Sequence, residues 1–81
     1  MRLSVKLFAR ARDLAGASQV QLDLSDQATV GELRSVLTKT YPALAPLAPN
    51  LLIAVGTEYA ADQVTLNSQS DVACFPPVSG G

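Results

Sequence analysis

An α+β fold with a mixed sheet and one main helix packed across it is predicted by three features of this chain. Two runs near the start alternate apolar and polar residues, as half-buried strands do. A single amphipathic helix follows them, opened by a capping sequence and closed by a proline. A continuous apolar run and a short apolar strand then supply the rest of the sheet. Eighty-one residues, 48% of them hydrophobic, make one domain with a small core.

The elements follow in order. Leu3, Val5 and Leu7 alternate with Ser4, Lys6 and Phe8, giving a first strand over residues 2–9. Residues 9–17, with Arg10, Arg12, Asp13 and Gly16, read as a connecting loop. Val20, Leu22 and Leu24 give a second strand over 18–24, and a hairpin is the economical pairing of the two. Thr29-Val30-Gly31-Glu32 has the form of a capping box, with Thr29 as N-cap and Glu32 reaching back. Val30, Leu33, Val36, Leu37 and Tyr41 then form one apolar stripe, and Pro42 ends the helix.

Residues 42–49 hold Pro42, Pro46 and Pro49 and read as an irregular crossover. Leu51 to Val55 reads as a strand buried on both faces. Gly56-Thr57 suits a type II′ hairpin turn, followed by a short strand near Glu58-Tyr59-Ala60. Leu66 to Ser70 reads as a polar turn, and Val72 to Phe75 as the last strand.

The chain closes on Phe75-Pro76-Pro77-Val78-Ser79-Gly80-Gly81. Prolines end strand pairing and favour an extended exit. Six residues from Pro76 reach about 20 Å. A carboxylate on Gly81, with Gly80 before it, has no nearby side chain and can enter a narrow channel. The expected division is a folded domain over 1–75 and a flexible Gly-Gly tail over 76–81.

Charge and composition narrow the function. The net charge is −1, with six bases and four acids in residues 1–39 and three acids without a base in 40–81. That lacks the basic stripe of a nucleic-acid binder, and the mildly acidic second half suits a basic protein partner better than a polyanion. No run approaches the ~20 apolar residues of a membrane span, and the N-terminal alternation is unlike a signal peptide, so no membrane partner and a cytoplasmic location are expected. There is no histidine and one cysteine, which removes histidine acid–base chemistry and a cysteine metal cluster. No phosphate-binding glycine loop is present. The chain is therefore expected not to be an enzyme on its own. Cys74, mid-strand and without a basic neighbour in sequence, reads as core rather than as a reactive thiol. Phe8, Tyr59 and Phe75, three of only four aromatics, all lie on strands and would anchor a partner if they share an exposed face. Arg12 is a further recognition candidate.

These residues resemble a known family. Phe8-Ala9-Arg10-Ala11-Arg12-Asp13-Leu14 with Gly16, Thr29-Val30-Gly31-Glu32-Leu33, Tyr41-Pro42-Ala43-Leu44, Leu52-Ile53-Ala54-Val55 with Glu58-Tyr59, Asp71-Val72-Ala73, and above all the closing heptad are similar to the small subunits of molybdopterin synthase. Gly56 and Gln69-Ser70 depart from that pattern, both at turns. The resemblance implies a ubiquitin-like β-grasp fold and a sulfur carrier. It implies that an activating enzyme adenylates the Gly81 carboxylate with ATP and that a sulfur donor protein converts it to a thiocarboxylate. The sulfur then passes to cyclic pyranopterin monophosphate in the active site of a large catalytic subunit, within a heterotetramer, during molybdenum cofactor synthesis. No stably bound cofactor and no metal are implied, since the catalytic groups belong to the partners. Phe8, Arg12, Tyr59, Phe75, Pro76, Pro77, Val78 and Ser79 would contact those partners. A Gly-Gly end also suits a sulfur carrier for thiamine, transfer-RNA thiolation or amino-acid synthesis, a ubiquitin-like protein modifier, or a β-grasp interaction domain with an idle tail.

Overall fold

The computed structural model describes residues 1–77. Five strands form one sheet: β1 (Arg2–Leu7), β2 (Gln19–Asp23), β3 (Leu52–Val55), β4 (Glu58–Tyr59) and β5 (Val72–Phe75). Their order is β2-β1-β5-β3-β4. The β1–β5 pair is parallel and the other neighbours are antiparallel. A long helix, α2 (Val30–Thr40), packs across one face, giving the β-grasp arrangement.

The core follows from periodicity. Leu3, Val5, Leu7, Val20, Leu22, Ile53, Val72 and Cys74 point from alternate strand positions to the inner face, where Val30, Leu33 and Leu37 of α2 meet them. Each fully buried Leu or Val contributes about 1.5–3 kcal/mol of transfer free energy. Val36 and Tyr41, at the margin of the same stripe, are half-buried.

Four local expectations need correction. Residues 9–15 are not loop but a short helix, α1 (Ala9–Ala15). It buries only Ala11, so it has no apolar stripe for the sequence to display. Ala, Arg and Leu favour helix, and Gly16 closes it in the left-handed conformation, φ 78°, donating to the Arg12 carbonyl at 2.9 Å. β1 and β2 pair antiparallel as expected, with α1 between them. The second correction concerns the helix cap. The Thr29 Oγ1 accepts from the Glu32 amide at 3.2 Å, but the Glu32 carboxylate accepts instead from the Ser25 hydroxyl at 3.1 Å. The Val30 and Gly31 amides at the start of α2 donate to Val64 O (2.9 Å) and Asp62 O (3.0 Å), so the segment before Leu66 closes the helix end. Third, the crossover after Pro42 is ordered into two 3-10 turns, Pro42–Leu44 and Ala48–Asn50. Fourth, Leu66, read as part of a polar turn, is buried in the core, and the turn proper begins at Asn67.

A side chain that the sequence did not single out holds these connections. Arg34 of α2 donates to Ala48 O (2.7 Å), Leu51 O (2.8 Å) and Asp62 Oδ1 (3.0 Å). It ties the helix to the crossover and to the segment over its N-terminus at once. Gly31 lets that segment approach: a Cβ there would lie 3.3 Å from the Asp62 Cβ.

Candidate docking face and tail exit

The sheet has a second, outer face that α2 does not cover. Its composition follows from the register. Arg2, Ser4 and Lys6 of β1 lie beside Asp23, Gln21 and Gln19 of β2, so this half is polar. On the other half, Phe75 of β5 lies beside Leu52, and Ala73 beside Ala54, which in turn faces Tyr59 of β4. This half is apolar.

Phe8 completes it. The residue continues the alternation of β1, so its side chain falls on the outer face, and its backbone is extended (φ −126°, ψ 153°). Its amide donates to Cys74 O at 3.2 Å, which holds it alongside β5. Ala9 then turns the chain with φ 54°, a left-handed conformation that costs a non-glycine residue about 1–2 kcal/mol. The Phe8 ring stacks on Phe75 with centroids 4.8 Å apart and planes at 6°. Tyr59 meets Phe75 edge-on, at 6.3 Å and 89°. A shallow hollow of about 310 Å³ lies between Tyr59, Phe75 and the Gly56-Thr57 turn. Gly56 has φ 67° and Thr57 does not share the left-handed region, as a type II′ turn requires.

The three expected aromatics are thus brought together on one face. Phe75 itself is half-buried beneath its neighbours, and the accessible surface is carried by Tyr59, 69% exposed, and Phe8, 40%. Leu52 joins them at 36% exposure, correcting the expectation of a strand buried on both faces. A run of five apolar residues carries no alternation to show which of them faces outward. The register beside Phe75 does. Arg12 lies on α1, one turn beyond Phe8, exposed and 3.7 Å from Asp13. It does not belong to the aromatic cluster. Pro76 and Pro77 follow Phe75 beyond the end of β5, Pro76 half-buried and Pro77 exposed. Val78, Ser79, Gly80 and Gly81 lie outside the described residues.

β5 is the central strand of the sheet. The chain therefore leaves the domain at the end of the central strand, between Phe8 and Leu52, rather than from an edge strand. Cys74, the residue before Phe75, points the other way, into the core. Burial pushes its thiol up to about 12, with the Arg34 charge opposing, so it stays a neutral thiol at physiological pH. Among the described residues, no three His, Cys, Asp or Glu side chains come together in a way that could hold a metal ion, and no helix is long and apolar enough to cross a membrane.

The ThiS family profile matches residues 5–81, nearly the whole chain. The chain belongs to the ThiS family. Among the relatives of this ThiS-family chain are the molybdopterin synthase sulfur carrier subunit of Arabidopsis thaliana, 30% identical over all of this chain and 84% of that one, and its namesake in Chlamydomonas reinhardtii, 31% identical over the full length of both. A third is small archaeal modifier protein 1 of Haloferax volcanii, 33% identical over 94% of this chain and 97% of the relative. A crystal structure of that modifier superposes on this one with a TM-score of 0.87 and 30% identity over the full length of both chains. The fold is the ubiquitin-like β-grasp, and two of these three relatives are, by name, carrier subunits of a larger synthase.

Proposed function

We propose that this chain is the sulfur carrier of a molybdopterin synthase. The observation that carries the reading is that the central strand ends at Phe75, within an apolar patch formed with Phe8, Leu52 and Tyr59. Such a face can seat against a partner while the segment beyond it reaches into that partner. Relatives that match the whole of this chain and are themselves named sulfur carrier subunits support it.

In this reading the Gly81 carboxylate oxygen attacks the α-phosphorus of ATP on an activating enzyme, and pyrophosphate leaves. Sulfide, released by a donor protein, then attacks the acyl carbon, AMP leaves, and a thiocarboxylate remains. Residues 1–75 are the docking body, and Pro76, Pro77, Val78, Ser79 and Gly80 are the tail that delivers it. The large catalytic subunit receives the tail and supplies the groups that move sulfur to cyclic pyranopterin monophosphate, the two subunits together forming a heterotetramer.

The test is the intact mass of the full chain after incubation with an activating enzyme, ATP and a sulfur source. The carrier form is heavier by the difference between one sulfur and one oxygen. Deletion of Gly81 abolishes both this shift and product formation with the large subunit, while the thermal midpoint is unchanged. Normal product from the deletion variant would sink the reading. A second reading, a protein modifier, is favoured by the name of the Haloferax volcanii relative. It expects Gly81 in a branched conjugate on a lysine rather than as a thiocarboxylate.

A further inference from the structure

The two edges of the sheet are unlike. One edge is β4, two residues long, which offers little to pair with. The other is β2, five residues in unbroken register with β1, with no bulge, proline or lysine along it. Leu7 N donates to Ser18 O at 2.9 Å and Leu24 N to Met1 O at 2.7 Å. These fix the alternation: residues 18, 20, 22 and 24 bond to β1, so the backbone groups of Gln19, Gln21 and Asp23 point away from the sheet. Among the described residues nothing donates to or accepts from them.

The residues along this edge are self-complementary. If a second β2 runs antiparallel with Gln21 opposite its own mate, Gln19 of one copy faces Asp23 of the other. Each of the three facing pairs exchanges two backbone hydrogen bonds. On the outer face the row across the seam then reads Arg2, Asp23, Gln19, Lys6, the last two from the second copy, so the carboxylate stands between donors on both sides. The row through the centre is Ser4, Gln21, Gln21, Ser4, which is uncharged. At a net charge of −1 per chain, repulsion between copies is small.

We infer that β2 is a self-association edge, through which two copies of this chain join their sheets into one continuous sheet. The seam lies beyond β1, so β5, β3 and β4, with Phe75, Leu52 and Tyr59, remain outside it. Two copies thus present two docking faces and two chain exits. No large apolar area is buried, so the association is weak and appears as concentration rises.

Sedimentation velocity of the full chain from micromolar to millimolar concentration tests this, together with amide exchange. The chain dimerises over that range. The amides of Gln19, Gln21 and Asp23 slow with concentration, while those of Val20 and Leu22, already bonded to β1, do not change. Gln21→Lys and Gln21→Glu each place like charges opposite one another and each lose the dimer, with unchanged thermal midpoints. Mixing the two variants restores it. A chain that stays monomeric at millimolar concentration, or a dimer that survives Gln21→Lys, overturns the inference.

Discussion

At the scale of single residues, burial decides which chemistry is open. Cys74 has the one thiol in the chain, and the core takes it out of use. Its folded pKa, about 12, lies above the value near 9 of an open thiol. The folded state therefore keeps the proton where the unfolded state has lost it. The sign follows: the thiol's contribution is fully present below pH ~9 and is lost as pH rises towards about 12. Chemical denaturation of Cys74→Ala, compared with the unmodified chain, removes that share of the alkaline loss, up to about 1.4 kcal/mol per pH unit. Iodoacetamide labels the native chain at neutral pH only as fast as the core opens. A second residue-scale expectation concerns Ala9. Its left-handed backbone costs about 1–2 kcal/mol, whereas glycine adopts φ 54° freely and loses about 0.5–1 kcal/mol to unfolded-state entropy. Ala9→Gly is then neutral or stabilising by a few tenths of a kcal/mol to about 1 kcal/mol in urea denaturation, where an alanine-to-glycine change inside a helix would destabilise.

Elements differ in how openly the sequence announces them. β1, β2 and α2 were legible because each buries one face and repeats at its own period, and β5 because Pro76 stops it. α1 was not legible: seven residues that bury only Ala11 carry no period, and its charges imitate a loop. The aromatic site was legible in part. Alternation put Phe8, Tyr59 and Phe75 on strands, but only the register that sets Leu52 beside Phe75 completes the patch. Arg34 was hidden for another reason, since its partners are two backbone carbonyls and Asp62, 14 to 28 residues away. Its weight can be measured. Arg34→Met keeps the aliphatic stem but takes the charged donor from both carbonyls, leaving Leu51 O unpaired among the described residues and Ala48 O with only the long 3.4 Å bond from Leu51 N. Stability falls by about 2 kcal/mol or more, in the range for bonds to a charged group. Asp62→Asn removes only the outer, more solvated ion pair and costs about 1 kcal/mol or less. Equal losses in the two variants would contradict the clamp.

The whole molecule separates a polar half of the outer sheet face from an apolar half, and the chain exit belongs to the apolar half. Folding also redistributes charge. Residues 40–81 carry no base, yet the Phe8–Cys74 bond sets the start of α1, with Arg10 and Arg12, beside the end of β5. A charge count by chain halves does not survive that pairing. The proposed docking face forms one body rather than three separate contacts, because Phe8 and Tyr59 both rest on Phe75. Phe75→Ala removes the support of both rings, so under the proposed function its effect on affinity for a large subunit is about 2 kcal/mol or more even though its own accessible area is modest. Phe8→Ala costs less alone. In the double variant the loss falls short of the sum by about 0.5–1.5 kcal/mol, the coupling of a stacked pair. Titration calorimetry of the two single variants, the double variant and the unmodified chain measures all four corners. Additive losses would mean that each ring fills its own pocket on the partner and that the stack is incidental to docking.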